Sequence, residues 1–526
     1  MICIRRFPLR LAMLMIMIAS QSSLLVHGQY LKAKWEMPKR SCTISRSLPL
    51  DFRANTKWDA ERIYHQLVVL VSFADCEFRQ EDPKAFYNAI FNQHNYNPGN
   101  GPGCVADYFR DQSSRYLNIQ FDLIGPIKVG YDARSDGGST MRQGTDIFRE
   151  TAQKLVEENP EIDWSVYDWY GDYRVSQIVF VYAGYIGNNS NHVGYIWPTT
   201  DEFAPIETPD GYTISVYSSS GELWGDGTSC GIGPICHEFS HCLSLPDVYP
   251  TLASLVESPS VVDEWDLMDG GSYTGKGWCP PNYSPLEKML LGWLNPVELK
   301  EDTIITDLRP VAEGGDVFIV FHTDSEFYLI ENRQQSGWDF GLPGRGLLVY
   351  HVDYNKYAWG ANSINNEAGH PMYSIVTADN LNFIDWYRLL LNHTLKSQYV
   401  NQSQQLNSNL MSSAAYPWYT DSTTFVNRDL TASSIPATLM FNADSNGSYY
   451  LSKSITNISQ NADGTVTFYF RKMKSGDTGI SDFTNGYTRF SDNEKISVVH
   501  TLQGVRVGRP KEKGIYIRNG HKFIYK

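Results

Sequence analysis

The chain has 526 residues, with 58 acidic and 44 basic side chains and a net charge of −14 at neutral pH. A chain of this length is expected to form about three domains and can bury a large core. The acidic excess argues against nucleic acid as a partner, because binding to phosphates depends on clustered basic side chains.

Residues 1–28 have the pattern of a signal peptide. Three arginines precede an apolar run at 11–18, as in sequences that direct export across a membrane. The alternative is an uncleaved membrane anchor, but the run is shorter than the ~20 residues that a bilayer-spanning helix needs. We therefore expect a secreted or cell-surface protein that meets the membrane only during export, with residues 29–60 as a short pro segment.

The amino-terminal half is predicted to alternate strands and helices. The β-branched run at 68–73 predicts a buried strand, and Pro83 begins a short helix. Residues 145–158 form a predicted amphipathic helix, and residues 175–182 form a second buried strand. A further strand at 212–218 has two interpretations, either a sheet edge that pairs with an extended substrate or an ordinary internal strand.

Residues 237–241 read His-Glu-Phe-Ser-His. Histidines four residues apart lie on one face of a helix, where both imidazoles can bind one Zn²⁺. Glu238 lies beside the first histidine and can reach a water molecule on the metal. The pattern predicts a zinc site with His237 and His241 as ligands.

A third ligand is expected just after this helix, because a catalytic zinc site has three protein ligands and one open position. Pro246 prevents the helix from continuing. A chain that turns back at Ser244 would bring the carboxylate of Asp247 to the same metal. The alternative role for Asp247 is a cap that ends the helix.

These residues carry a resemblance to a known family. The spacing His237-Glu238-x-x-His241-x-x-Ser244-x-x-Asp247 resembles the extended zinc motif of metzincin-like peptidases, with aspartate as the third ligand. The residues that follow are similar to the M6 family, the immune inhibitor A group of secreted bacterial metalloproteases. That family has glycine where this chain has Ser244, and a serine in the left-handed conformation of such a turn costs roughly 1 kcal/mol.

Other segments extend the resemblance over about three fifths of the chain. Residues 265–272 resemble the methionine turn that lies under the metal in metzincins, with Met268 as its methionine. Further stretches that resemble the M6 family lie at 105–113, 285–293, 331–334 and 341–344. The resemblance implies an α+β protein in which a metzincin-like zinc peptidase domain is followed by a β-rich carboxy-terminal region.

The resemblance also implies the chemistry of the site. Peptide bonds would be hydrolysed by a zinc-activated water, with Glu238 as the general base. Met268 would form an apolar floor below the metal. Tyr249 and Tyr273 are candidates for a phenol that stabilises the charged transition state.

Two metal-binding alternatives stay open. If Asp247 only caps the helix, Glu264 is the fallback third ligand, as in gluzincin-type sites. The M6 family often has a calcium-binding loop, but the corresponding residues 168–174 contain aromatic side chains and an arginine, which leaves few oxygen ligands. Calcium is therefore uncertain, and one catalytic zinc is the predicted cofactor.

The chain has 8 cysteines, whose oxidation state can be predicted from the expected compartment. Cys3 would be removed with the signal peptide, which leaves an odd number of cysteines in an oxidising compartment. Disulfides are expected there, although the sequence leaves their connectivity open. A sharper hypothesis is that the thiolate of Cys42 binds the zinc before activation.

The carboxy-terminal half is predicted to be rich in strands. They are expected at 317–321, 327–330 and 347–352, and Asp463-Gly464 marks a later hairpin. His322 and His351 lie on or beside these strands and are expected to be structural.

The last segment follows a linker at 475–479. Its strands, with a turn at Asn519-Gly520, resemble the carboxy-terminal sorting domain of type IX secretion, which implies the secretion machinery as a partner. An ordinary accessory β module is the alternative.

The predicted domains are a signal peptide (1–28), a pro segment (29–60), a catalytic domain (61–300), a β-rich extension (301–474) and a linker with the sorting-like domain (475–526). The predicted function is that of a secreted zinc metalloendopeptidase acting on proteins or peptides. The alternative is a surface-binding protein with a peptidase-like fold that lost turnover because of Ser244. Glu238 favours the enzyme, because a binding protein needs no base beside the metal.

Overall fold

The computed structural model describes residues 58–135, 143–187, 194–252, 260–367, 369–382, 411–419 and 426–472, with short strands between 499 and 525. The predicted signal peptide, the pro segment up to residue 57, Cys42, the linker at 475–479 and the turn Asn519-Gly520 lie outside the described residues. Within the described ranges, no helix combines the length and the apolar character needed to cross a bilayer.

The first sheet has five strands, β1 (Ile63–Ser72), β2 (Asn118–Lys128), β3 (Ile178–Tyr185), β4 (Thr199–Glu207) and β5 (Thr213–Leu223). Their order is β2-β1-β3-β5-β4, and every neighbouring pair is parallel except the antiparallel pair of β4 and β5. The predicted strand at 212–218 is therefore internal, and the interpretation of it as a sheet edge is wrong. The edge next to it is β4, which the sequence pattern did not predict.

Four helices accompany this sheet, α1 (Pro83–Asn92), α2 (Val105–Gln112), α3 (Thr145–Glu158) and α4 (Gly233–Cys242). Helix α1 begins as predicted, with the carboxylate of Asp82 accepting a hydrogen bond from the backbone N–H of Ala85. Helix α3 has the predicted bounds, and Ile147, Phe148, Ala152 and Leu155 of its apolar face are buried, while Val156 is partly buried. Strand β3 begins three residues later than predicted. Before the strand, the backbone N–H of Val175 donates to the carbonyl oxygen of Thr213.

The chain continues with α5 (Pro285–Leu290), β6 (Val297–Glu298), β7 (Thr303–Leu308), β8 (Phe318–Phe321), β9 (Glu326–Arg333), β10 (Gly346–Asp353), α6 (Lys356–Gly360), β11 (Tyr373–Ile375), β12 (Trp418–Tyr419), β13 (Val426–Asn427), β14 (Lys453–Gln460) and β15 (Val466–Lys472). A second sheet has the order β11-β10-β9-β8-β6, and a third has the order β14-β15-β7. The fold is thus mixed α+β, with a catalytic-type domain followed by a β-rich region, as predicted.

The second sheet is buried on both faces. Successive side chains of a strand point to opposite sides of the sheet, so one strand can contribute to two cores. Phe327 and Leu329 of β9 contribute to the core that contains the first sheet. Tyr328 and Ile330, which alternate with them, contribute to a second core with strands β14 and β15. The second sheet therefore forms the wall between the two cores.

The last strands are β16 (Val499–Thr501), β17 (Arg506–Val507), β18 (Gly514–Arg518) and β19 (His521–Tyr525). They form an antiparallel sheet in the order β17-β16-β18-β19. Arg518 at the end of β18 pairs with His521 at the start of β19.

The expectation of disulfides is not met at five of the described cysteines. Those at positions 76, 104, 230, 236 and 279 are free thiols. Burial raises the pKa of Cys104 to about 12 and that of Cys279 to about 11. Such thiols pack as small apolar side chains.

Arg333, at the end of β9, is fully buried and forms a charged contact between the second sheet and the catalytic core. Its Nε and Nη2 atoms donate to the two carboxylate oxygens of Asp339 at 2.7 and 2.6 Å, and Nη1 donates to Glu331 Oε1 at 3.0 Å. Nη2 also donates to the carbonyl oxygen of Asn282 at 3.2 Å. The guanidinium thus compensates two carboxylates that are removed from water.

Glu326, at the start of β9, is also fully buried. Its carboxylate accepts hydrogen bonds from the backbone N–H groups of Phe441 and Asn442 and lies 2.7 Å from His351 Nε2. The ring of His351 stacks on Phe441, in agreement with a structural role. Burial raises the pKa of Glu326, but these hydrogen bonds outweigh burial and lower it to about 2.

We predict that Arg333→Leu lowers the free energy of unfolding by about 3–5 kcal/mol, because it leaves buried carboxylates without a compensating charge. Urea unfolding measures the change. The control is Arg345→Leu, since Arg345 is exposed and should change stability by less than about 0.5 kcal/mol. Similar stabilities for the two variants would contradict the role of Arg333.

We predict that the loss of stability in Glu326→Gln depends on pH. The pKa of Glu326 is lowered from 4.5 to about 2 on folding, so its stabilising contribution is complete above pH 4.5 and is lost as the pH falls towards 2. Thermal unfolding should therefore separate wild type and variant at pH 7 and bring them together near pH 2. The exposed substitution Glu313→Gln should show no such convergence.

Candidate metal centre

Helix α4 carries the two predicted histidines. Pro234 lies in its first turn, and the apolar residues Ile235 and Phe239 are buried in the core. A side chain at Gly233 would lie 2.1 Å from the carbonyl oxygen of Ser272, so the start of the helix approaches residues 270–277 closely. This packing fixes the direction of the helix.

The chain turns sharply after α4. Ser244 has a φ of +76°, in the left-handed region that a glycine would favour. Its N–H donates to the carbonyl oxygen of His241 at 2.8 Å, and the N–H of Leu245 donates to the carbonyl oxygen of Ser240 at 3.2 Å. A serine thus holds the turn that the extended motif requires.

The turn brings Asp247 back to the histidines. The Oδ1 atom of Asp247 lies 3.3 Å from His237 Nε2 and 3.3 Å from His241 Nε2. All three residues are buried, and one ligand atom from each lies within 4.8 Å of the others. Among the described residues, this is the only group of three or more such side chains placed to hold a metal ion.

Backbone carbonyls orient both imidazoles. His237 Nδ1 lies 2.8 Å from the carbonyl oxygen of Leu267, and His241 Nδ1 lies 2.8 Å from that of Leu245. Nδ1 donates in both contacts, so each Nε2 faces Asp247 and is the nitrogen available to a metal ion. Metal-binding histidines usually have a second hydrogen bond of this kind.

The predicted methionine turn contacts both the histidine helix and the loop that carries Asp247. Leu267, which accepts from His237, immediately precedes the fully buried Met268. The carbonyl oxygen of Met268 accepts a hydrogen bond from the N–H of Val248 at 2.9 Å. The turn therefore connects the helix to the loop that carries Asp247.

The residues present fit a zinc ion. His237 Nε2 and Asp247 Oδ1 are buried and have no hydrogen-bond partner among the described residues, as expected of atoms that bind a metal. Burial lowers the pKa of His241, but the charge of Asp247 outweighs it and raises the pKa to about 9. Burial raises the pKa of Asp247, whereas the histidines hold it well below its usual range. The site thus favours a positive charge, and its two imidazoles and one carboxylate form a typical zinc ligand set.

Glu238 is buried beside the histidines, and β4 orients it. The hydroxyl of Thr200 donates to the backbone carbonyl of Glu238 at 2.6 Å and lies 3.1 Å from its Oε2. Burial raises the pKa of Glu238. Sequence analysis missed Thr200 because β4 has no distinctive pattern.

The other candidate residues are Tyr249, Tyr273 and Glu264. Tyr249 is buried beside Asp247, and burial followed by the charge of Asp247 raises its pKa well above the ordinary value. The ring of Tyr273 contacts that of Trp224 at a tilted angle, with ring centroids 5.5 Å apart. Glu264 is not a member of the metal-ligand group that the described residues form.

Asn362 is a second residue that sequence analysis missed. Its side-chain Nδ2 donates to Asp247 Oδ2 at 2.7 Å, and its Oδ1 accepts from the backbone N–H of Asp247 at 2.6 Å. It lies 115 residues further along the chain, in a loop with no motif to identify it.

Calcium at residues 168–174, which the sequence left uncertain, gains no support. The carboxylate of Asp168 accepts hydrogen bonds from backbone N–H groups of its own loop, at residues 170, 171, 172 and 173. That carboxylate therefore closes the loop on itself.

Comparison with known proteins identifies relatives of this region. Residues 224–291 match the model of the immune inhibitor A peptidase M6 catalytic domain. The chain is 20% identical to immune inhibitor A of Bacillus thuringiensis subsp. alesti over 376 residues, which cover 60% of this chain and 52% of that protein. It is 21% identical to pre-pro-metalloprotease PrtV of Vibrio cholerae serotype O1 (strain M66-2) over 306 residues, or 51% of this chain and 32% of the relative.

The chain therefore spans about half the length of the first relative and a third of the second. The matched segment contains helix α4, the turn at Ser244, Asp247 and Met268. The segment that contains the His-His-Asp group is therefore similar to the catalytic domain of M6 peptidases.

Proposed function

We propose that this protein is an exported zinc metalloendopeptidase that hydrolyses peptide bonds in proteins. The observation that carries the proposal is the buried group of His237, His241 and Asp247 with Glu238 on the same helix. The similarity of residues 224–291 to a peptidase catalytic domain supports it.

Each residue has a defined task in this proposal. The two Nε2 atoms and Asp247 Oδ1 hold the metal, while Leu267 and Leu245 keep the imidazoles in the required orientation. Zinc, when bound, supplies a Lewis acid that lowers the pKa of water and polarises the scissile carbonyl. Glu238 accepts a proton from the attacking water and delivers it to the leaving amine.

The remaining candidates have supporting tasks. Met268 provides the apolar floor beneath the site. Tyr273 is the better candidate for a phenol that approaches the substrate, since Tyr249 is buried against Asp247. Strand β4, as the edge of the first sheet, offers backbone groups to which an extended substrate can pair.

We further propose export of this chain and the domain divisions given above. The pattern of residues 1–28 supports a signal peptide, and the relative from Vibrio cholerae is named a pre-pro-metalloprotease. The four-stranded sheet within residues 499–525 is compatible with a sorting domain that contacts secretion machinery and with an accessory module. Removal of this segment followed by a secretion assay separates the two.

The competing function is that of a binding protein without turnover. It predicts zinc binding without hydrolysis of unfolded casein. The enzyme predicts hydrolysis that a chelator abolishes and added zinc restores. The left-handed Ser244 does not favour the binding protein, because Asp247 still reaches both histidines.

We predict that Glu238→Gln lowers casein hydrolysis by about 10²- to 10⁴-fold, because the variant has no general base. Its zinc content should equal that of wild type, since the three ligands are unchanged. The exposed substitution Glu161→Gln is the control and should leave both quantities unchanged. Full activity of Glu238→Gln would remove this residue from the reaction.

We predict that Asp247→Asn weakens zinc binding by more than about a hundredfold and abolishes hydrolysis, because a ligand charge is lost. Titration with zinc against a competing chelator measures the affinity. Glu264→Gln, made in parallel, tests the alternative ligand and should bind zinc as wild type does. The opposite result would assign the third ligand position to Glu264.

A further inference from the structure

We propose that Asn362 is a positioning residue that determines which oxygen of Asp247 faces the metal. The inference rests on the proposed function, because it concerns the ligand set of that site. Asn362 lies just after α6, beyond the segment that matches the family model. Residues outside the recognised motif would thus complete the site.

The side-chain amide of Asn362 makes two hydrogen bonds with one residue. It accepts from the backbone N–H of Asp247 at 2.6 Å and donates to Asp247 Oδ2 at 2.7 Å. These contacts determine the orientation of the amide, because only its oxygen can accept from an N–H and only its nitrogen can donate to a carboxylate. Asn362 therefore holds the backbone and the carboxylate of Asp247 together.

This double contact selects the ligand atom. With Oδ2 occupied by Asn362, Oδ1 is the oxygen at 3.3 Å from both imidazole Nε2 atoms. Oδ1 has no hydrogen-bond partner among the described residues. A carboxylate held in this way offers one oxygen to the metal and loses little rotational freedom when the metal binds.

The position of Asn362 is itself well defined. Its φ is +50°, in the left-handed region that asparagine tolerates better than most residues. Its carbonyl oxygen accepts from the hydroxyl of Thr251 at 2.7 Å. The turn of the chain at Asn362 and the loop that carries Asp247 are thus fixed to each other.

A neighbouring asparagine provides a matched control. Asn366 lies in the same segment, and its Oδ1 accepts from the backbone N–H groups of Thr251 and Leu252 at 2.8 and 3.1 Å. It anchors the same loop, but at residues beyond Asp247. Comparison of the two asparagines separates control of the carboxylate from general anchoring of the loop.

The test is the zinc affinity of the purified full-length chain, measured by competition with a fluorescent chelator. Asn362→Leu retains the size of the side chain and removes both hydrogen bonds, and should raise the zinc Kd by about 10- to 100-fold. Asn366→Ala should stay within about threefold of wild type, as expected for a residue outside the site. The melting temperature of each metal-free variant shows whether it is folded.

A second variant keeps the test decisive if Asn362→Leu does not fold. Asn362→Asp retains the acceptor for the N–H of Asp247 but places a carboxylate oxygen against Oδ2, so it should also weaken zinc binding. Affinities of both Asn362 variants within about threefold of wild type would overturn the inference. An equal loss in Asn366→Ala would also overturn it, because general anchoring would then explain the effect.

The same titration distinguishes failure of this inference from failure of the proposed function. If Asp247→Asn loses zinc while the Asn362 variants bind normally, only the role of Asn362 is wrong. If wild type binds no zinc, the proposed function fails, and the inference fails with it.

Discussion

The buried carboxylate of Asp247 is the constraint on which the site depends. Burying a charge is costly unless other charges or hydrogen bonds compensate it. Here the compensation comes from Asn362 on one oxygen and from two imidazoles at 3.3 Å from the other. The left-handed turn at Ser244, the direction of α4 and the carbonyl groups behind the imidazoles all serve to bring these groups together.

The second sheet provides the support that the site needs from outside the recognised motif. Its strands are buried on both faces, so it contributes both to the core that contains the first sheet and to the second core with β14 and β15. Arg333 fixes this sheet to residues 282 and 339 through a fully buried guanidinium. The first sheet and the β-rich region are therefore joined by core packing, and the loop that carries Asn362 extends from the second sheet.

The predicted methionine turn is also held by a contact with the second sheet. Asp266 accepts a hydrogen bond from the N–H of Met268 at 2.8 Å and another from the hydroxyl of Tyr373 in β11 at 2.9 Å. Burial raises the pKa of Asp266. Because Leu267 orients His237, this contact links the second sheet to a proposed metal ligand. A rigid shell of this kind reduces the reorganisation needed when a metal binds.

The sequence by itself determined the local features of this protein. The period of apolar residues predicted α3 with its correct bounds, and the spacing of two histidines predicted a helix with both imidazoles on one face. Strands β8, β9 and β10 of the second sheet followed from short apolar runs, whereas β6 and β11 were not predicted. These features depend on contacts between residues close in the sequence, so the local pattern of apolar residues predicts them.

Only the tertiary structure decided which distant residues complete the site. Asn362 lies 115 residues from Asp247, and Thr200 lies 38 residues from Glu238, on a strand without a clear pattern. The order of the strands made β4 the edge and the segment at 212–218 an internal strand, a choice that the sequence had left open. The physical reason is that hydrogen bonds between distant loops depend on how the sheets pack, and no local periodicity encodes that packing.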